Sequence, residues 1–412
     1  RGTLDKLHIE AEFPGRGAYK SARFMYTERD FTPEHREMME WILDSLMIQL
    51  TGGVAESRGL EPQQVRNLLD QAPFMDSEAV EAGLVDHLED WTEFHDRLDA
   101  EVMGKAEVLT PAQYLERSGK GEGRAKIAVV TAVGAIMRGE SRRELNPLLG
   151  GVIMGSDTIS RAWREVREAD GIRAAVFRVD SPGGSAIASE IIRREMMRTA
   201  EEIPVVVSMS NLAASGGYWI SCGAQRILAD PATLTGSIGV LTGHLDMTGF
   251  WNDKLGVTFG RIDRGANADL YGDLGSWTDE QRGIVDDFLD KIYDAFVERV
   301  AEGRSMSEEE VRALAAGRGF TGAQAVENGL VDALGDLDAA IAEARSLAGL
   351  DPEAPVRLVE FPKPVPWWQQ LLQQQSRRDV ALEELAAGLE GAWVRGGLQP
   401  PGVAWMPPVV VE

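Results

Sequence analysis

A single cysteine in 412 residues, Cys222, sets the first limits. No intrachain disulfide can form, and a cysteine-rich zinc site is excluded. Cys222 sits among small residues and reads as a buried thiol. Long apolar runs are missing as well: no stretch of about eighteen apolar residues exists to span a bilayer, and no basic-then-apolar targeting segment opens the chain. Positive charge is in short supply, with 42 Lys and Arg against 66 Asp and Glu, a formal net charge of −24. No Lys/Arg cluster offsets that balance, so no nucleic-acid partner is expected. Neither a P-loop signature nor a dinucleotide-binding fingerprint occurs, and no metal or cofactor is expected.

What is there is an ordinary globular composition, 44% apolar and 26% charged, enough for one large core or two smaller ones. An internal repeat organises it. Phe74–Asp90 recurs as Phe320–Asp336 with ten of seventeen positions identical, including Gly83-Leu84-Val85-Asp86 and Gly329-Leu330-Val331-Asp332. Upstream, Phe31-Thr32-Pro33-Glu34 aligns with Trp277-Thr278-Asp279-Glu280 at the same offset, and a long helical pattern follows each. Residues from about 10 to 105 thus match the second part of a unit that runs complete from about 125 to 348. The chain is expected to begin inside its first repeat. The expected domains are the C-terminal part of a first repeat over 1–104, a Gly-rich charged linker over 105–124, a complete second repeat over 125–350, and a Pro/Trp-rich tail over 351–412.

In the first repeat, residues 1–30 read as loop, broken by Pro14, Gly15 and Gly17. Thr32 and Pro33 open a helix whose apolar stripe, Met38, Met39, Ile42, Leu43, Leu46 and Leu50, reads as core. Shorter helices are expected around 62–69, 77–82 and 90–103. The second repeat alternates: strand 127–133, helix 157–169, strand 174–179, helix 186–202, strand 205–209, strand 226–229, then helices from 278 to 348. Such alternation implies βαβ crossovers, an α/β class and a mostly parallel sheet covered on both faces. In the tail, Trp367–Leu372 reads as a short amphipathic helix and 376–397 as helical; the tail is expected to pack on a neighbouring subunit or to be partly disordered, with contact to a membrane surface as the alternative.

The strand 205–209 leads into Ala213-Ala214-Ser215-Gly216-Gly217-Tyr218-Trp219, where small residues surround one hydroxyl. Ser215 reads as a nucleophile, and a serine needs a base to take its proton. Of the five histidines only His244 falls near the core of the second repeat. Lys20 is the rival: its neighbours Ala18, Tyr19, Ser21 and Ala22 carry no acid to hold it charged, and burial of a lysine favours its neutral form. Ser181-Pro182-Gly183-Gly184-Ser185 ends a strand and opens a helix. Its bare N–H groups, with that of Gly216, suit an oxyanion hole, although an ordinary turn has the same pattern. Thr235-Gly236-Ser237 offers a second hydroxyl to orient a lysine amine.

Together, Tyr19-Lys20-Ser21-Ala22, Ser181-Pro182-Gly183-Gly184-Ser185, Ala213–Trp219 and Leu234-Thr235-Gly236-Ser237-Ile238-Gly239 resemble the signal peptide peptidase A family in its long, tandem-domain bacterial form. The order and spacing match from about residue 10 to 348. The resemblance implies a ClpP/crotonase-like fold and a Ser–Lys dyad serine peptidase. In it Ser215 is the nucleophile, Lys20 the general base and Ser237 the hydroxyl on the lysine, with Gly216 and Gly183 or Gly184 in the oxyanion-hole region. It also implies a homotetramer at the periplasmic face of a bacterial inner membrane, attached through a segment outside this chain and acting on cleaved signal peptides. Two features depart from the family pattern: Asp180 stands where Asn is expected before Ser-Pro-Gly-Gly, and the tail past 350 has no counterpart. A crotonase-like acyl-CoA enzyme and a catalytically inactive scaffold of the same fold are the alternatives.

Overall fold

Val205–Ala214, a ten-residue strand, is the spine of the main sheet in the computed structural model. The model describes residues 1–102, 125–144, 151–352 and 354–363, with isolated positions between 107 and 117. Most of the linker expected at 105–124, and the helices expected at 367–372 and 376–397, lie outside the described residues. Arg1–Pro362 forms one compact unit, and the chain from Lys363 onward is grouped separately.

Among the described residues the main sheet has eight strands. From one edge it runs Gly319–Thr321, Leu234–Gly236, Val205–Ala214, Ile172–Ser181, Ala125–Val133 and Val356–Phe361. All neighbours on this path are parallel except the antiparallel pair Gly319–Thr321 with Leu234–Gly236. The central strand divides its partners. Val206–Met209 pairs Arg226–Ala229, while Leu212–Ala214 pairs Leu234–Gly236. The switch between them opens the carboxyl end of the sheet, where α/β folds place their sites. Central strands are apolar on both faces, with Val176, Phe177, Val205, Val206 and Val207 fully buried. The helices Ser156–Glu168 and Ala186–Ala200 cover one face through Trp163, Ile192 and Met196, and Leu337–Leu347 covers the other through Ala340 and Ala344.

The repeat is visible in the helix boundaries. Pro33–Arg58 and Asp279–Arg304 are both 26 residues long, and Asp76–Glu81 corresponds to Gly322–Glu327 at the same offset. Thr32 and Thr278 cap the long pair, accepting from His35 N–H and Gln281 N–H. The first helix departs from expectation on one face. Met38 and Ile42 are buried, but Leu43 is 56% and Leu50 51% exposed. Their repeat partners Leu289 and Phe296 are each 1% exposed, packed into the second repeat. The stripe is the same; in the first repeat no described sheet covers its other half.

Residues 1–30 are more ordered than a loop. Glu10–Glu12 pairs antiparallel with His244–Asp246, and Gly15–Arg16 with Val240–Leu241. Arg16 reaches across to Asp286 and Asp290 on the long helix of the second repeat. These two short ladders stitch the start of the chain onto the second repeat. Lys20 follows them directly, heading the turn Ser21–Arg23. Two further elements lack a sequence signal. Ala135–Met137, Arg142–Glu144 and Gly151–Gly155 form a small three-stranded sheet, and the extended stretch after 350 supplies the edge strand Val356–Phe361.

Candidate active site

Ser215 stands where the central strand ends and the one-turn helix Gly216–Trp219 begins. Its φ is 55° and its ψ −118°, a conformation that non-glycine residues seldom adopt. Ser215 N–H donates to the Gly236 carbonyl at 2.8 Å, and the Ser215 carbonyl accepts from Trp219 N–H at 2.9 Å. Held at both ends, the sharp turn projects the hydroxyl off the sheet edge. Small neighbours are needed here for a plain reason. A Cβ on Gly217 would lie 2.6 Å from the Ser181 carbonyl, and one on Gly183 would lie 2.5 Å from the Gly216 nitrogen.

The amine of Lys20 lies 2.9 Å from Ser215 Oγ, 2.9 Å from the Ser237 carbonyl oxygen and 3.0 Å from Ser237 Oγ. Lys20 is 6% exposed. Burial alone pushes its amine down to about 7, because the cavity offers the charged form no counter-ion. The penalty on the ammonium is about 5 kcal/mol. In the neutral form two N–H groups donate to the two oxygens of Ser237 and the lone pair faces the Ser215 hydroxyl, whereas the ammonium donates to all three oxygens. Ser237 is itself held at φ 51°, with its N–H donating to the Arg318 carbonyl at 2.8 Å. That strained turn is what aims both Ser237 oxygens at one nitrogen.

A rate that needs this amine neutral is expected to rise with pH through about 7 and level off above it. Below that pH the lysine holds the proton it must accept. A kcat/KM profile measures this directly; a curve still climbing at pH 10 would belong to an ordinary solvated lysine.

Gly183, Gly184 and Gly216 line up beside the serine. Gly183 N–H donates to Ser181 Oγ at 3.1 Å, and Ser181 Oγ donates onward to the Gly134 carbonyl at 2.7 Å. Gly216 N–H opens the helix that follows Ser215. Asp180, the departure before Ser-Pro-Gly-Gly, accepts Gly134 N–H through its backbone carbonyl at 2.9 Å, a contact that does not depend on its side chain.

The cavity in front of Ser215 measures about 560 Å³. Met38, Leu241, Phe288, Leu289, Ile292 and Phe296 give it apolar walls, and Lys20 is the one charged side chain among its described lining residues. Trp219 closes one side, stacked on Phe296 at 4.5 Å, with its indole N–H on Glu190. The helix Asp279–Arg304 supplies four of these walls, a contribution its apolar stripe alone did not reveal as site-lining. None of the five histidines lines the cavity among the described residues. His244 stacks on Trp277 at 4.3 Å and faces the Gly275 carbonyl, so the histidine alternative for the base has no contact with Ser215.

Cys222 is fully buried and its thiol is pushed up to about 12 by that burial, which leaves it inert.

The model of peptidase family S49 matches residues 1–104 and 197–351, on both sides of the linker. A chloroplastic serine protease SPPA of Arabidopsis thaliana is 33% identical over 377 residues, 88% of this chain and 54% of that protein. Protease 4 of Haemophilus influenzae is 33% identical over 84% of this chain and 57% of its own length. A putative signal peptide peptidase SppA of Enterococcus faecium is 39% identical over a shorter 173 residues, 42% of this chain and 50% of that protein. The chain thus spans little more than half the length of the longer curated relatives it matches. Among solved structures, a ClpP1 mutant from Listeria monocytogenes aligns over 52% of this chain and 94% of its own at 13% identity, with a TM-score of 0.34. With the family model matching more than half of its residues, and relatives a third identical over most of its length, the chain belongs to peptidase family S49.

Proposed function

We propose that this chain is a serine endopeptidase that hydrolyses apolar peptides with Ser215 as nucleophile and Lys20 as general base. The observation that carries the reading is the buried Lys20 amine, 2.9 Å from Ser215 Oγ and within 3.0 Å of both Ser237 oxygens. The Lys20 lone pair takes the Ser215 proton as Oγ bonds to the substrate carbonyl carbon. The developing oxyanion rests on Gly216 N–H and an N–H of the Gly183-Gly184 turn. Protonated Lys20 then donates to the leaving amine as the C–N bond breaks, leaving an acyl-enzyme. Water, deprotonated by the same lysine, releases the acid and restores Ser215.

Substrate class follows from the walls. A charged side chain entering the cavity would lose its hydration with no counter-charge to replace it, whereas apolar side chains gain by burial. Cleaved signal peptides have that chemistry, and the family resemblance points the same way. The resemblance extends to a homotetramer at the periplasmic face of a bacterial inner membrane; among the described residues no helix is long and apolar enough to cross a membrane.

Two measurements test the reading together. A Leu/Ala-rich peptide carrying a fluorophore and quencher is expected to be cut, and the same peptide with Asp and Lys at alternate positions to resist. A serine-directed phosphonate is expected to form one adduct, mapped to Ser215. An uncut apolar peptide together with an adduct at another residue would sink the proposal.

A further inference from the structure

The turn Ala315–Gly319 contacts both the Tyr19-Lys20 segment and Ser237, and Arg318 within it reaches to both. The Arg318 carbonyl accepts Ser237 N–H at 2.8 Å and thereby fixes the turn whose two oxygens receive the lysine. The Arg318 side chain goes the other way. Its guanidinium lies 4.0 Å from the Tyr19 ring centroid and 5.4 Å from that of Trp41, and it bonds Glu37 at 2.6 Å. Tyr19 OH donates to the other oxygen of Glu37 at 3.1 Å. Tyr19 is the residue before Lys20, and its own N–H donates to the Ala316 carbonyl at 2.9 Å. Glu37, Trp41 and Tyr19 belong to the first repeat, Arg318 and Ser237 to the second.

The backbone of this turn is under constraint. Ala316 has φ 54°, in a region that non-glycine residues seldom occupy, and Gly317 has φ 79°. A Cβ on Gly317 would fall 2.6 Å from the Lys20 backbone nitrogen and 2.7 Å from its Cβ. The turn is therefore pressed against Lys20 with no room to slide. A strained conformation persists where its surroundings over-determine it, and here they converge on the backbone that carries Lys20.

We infer that Arg318 is a positioning residue for the dyad: it clamps Tyr19 between its guanidinium and Glu37 while its carbonyl holds Ser237, so that Lys20 meets Ser215 and Ser237 at once. This rests on the reading of Lys20 as the base. The energy of the exposed Arg318–Glu37 contact is not the point, since such pairs contribute little to stability. Geometry is the point, because a displacement of about 1 Å at a reacting group is enough to lower a rate by about 100-fold. Lysine in place of Arg318 would keep the charge and lose the flat face that stacks on Tyr19.

The test compares wild type, Ser215→Ala, Arg318→Ala and Arg318→Lys on the quenched apolar peptide, with kcat and KM followed from pH 5 to 10. Thermal melting and far-UV circular dichroism report the folded fraction, and a serine-directed phosphonate counts competent sites. Arg318→Ala is expected to fold, to keep KM within about twofold, and to lose about 10- to 100-fold in kcat. Its pH–rate midpoint is expected to move upward from about 7, as water reaches the loosened amine. Arg318→Lys is expected to fall between wild type and Arg318→Ala in both respects. An Arg318→Ala enzyme whose pH midpoint is unmoved overturns the inference, whether its kcat is intact or lowered only in proportion to the competent fraction. Full peptide hydrolysis by Ser215→Ala would instead overturn the dyad itself, so the two failures are separable.

Discussion

Replacement of Lys20 by alanine, or of Ser215 by alanine, is expected to lower kcat for peptide hydrolysis by about 10⁴- to 10⁶-fold, with the double variant no worse than either single. The lack of additivity is the informative part. In the proposed mechanism one proton passes between Lys20 and Ser215, 2.9 Å apart, so removing either group ends the same step. A serine without a base is a poor nucleophile, and a neutral lysine without the serine has nothing to activate. What remains is the contribution of the oxyanion donors and of substrate binding, common to all three variants. Lys20→Arg is expected to be as inactive as Lys20→Ala. A guanidinium stays protonated at any working pH, and at a 6% exposed position with no counter-ion it also carries a burial penalty. KM is expected to change little in Ser215→Ala, because the apolar walls are untouched. Steady-state kinetics on one apolar peptide, with the double variant in the same series, decide the matter. Single variants whose losses multiply in the double variant would mean that Lys20 and Ser215 act independently.

Much of the candidate site was legible in the sequence, and for a physical reason. A nucleophile turn needs small residues around one hydroxyl, and a buried base needs neighbours without charge. Both requirements are local, so Ala213–Trp219 and Ala18–Ala22 display them openly. The internal repeat assigned the two halves to different repeats, and the helices Pro33–Arg58 and Asp279–Arg304 keep its offset to the residue. What the sequence did not display depends on long-range contact. The Ala315–Gly319 turn carries only two glycines and an arginine as its signal, yet it contacts Tyr19, Lys20 and Ser237. The uncovered side of the first long helix was hidden for the opposite reason. Amphipathic periodicity shows which face is apolar, and it is silent on whether a partner lies against that face, as Leu43 and Leu50 illustrate. Val356–Phe361 was missed as a strand because a single edge strand among prolines lacks the flanking alternation that marked the others.

Gly183→Ala is expected to lower kcat by about 10²- to 10³-fold, and Gly216→Ala by far less, although both glycines flank the serine. The difference lies in where each new methyl group would point. At Gly183 it would sit 2.5 Å from the Gly216 nitrogen and 2.8 Å from Ser215 Cβ, on the donor that the oxyanion needs. Gly183 also has φ 97°, which an alanine adopts only with strain. At Gly216 the methyl group would instead meet Ser189 Oγ at 2.6 Å, a small hydroxyl on the covering helix that turns about a single bond, and would touch Gly183 Cα and Gly184 N at 3.1 Å, contacts relieved by a shift of a few tenths of an ångström. Gly216 has no positive φ to lose, and its N–H would keep its direction. Its side of the turn is therefore adjustable where the Gly183 side is not. The loss in Gly183→Ala should fall on kcat rather than KM, since the donor acts on charge that develops only as the carbonyl is attacked. Near-equal losses in the two variants, both folded by circular dichroism, would place the oxyanion donors somewhere other than the junction of Gly183 and Gly216.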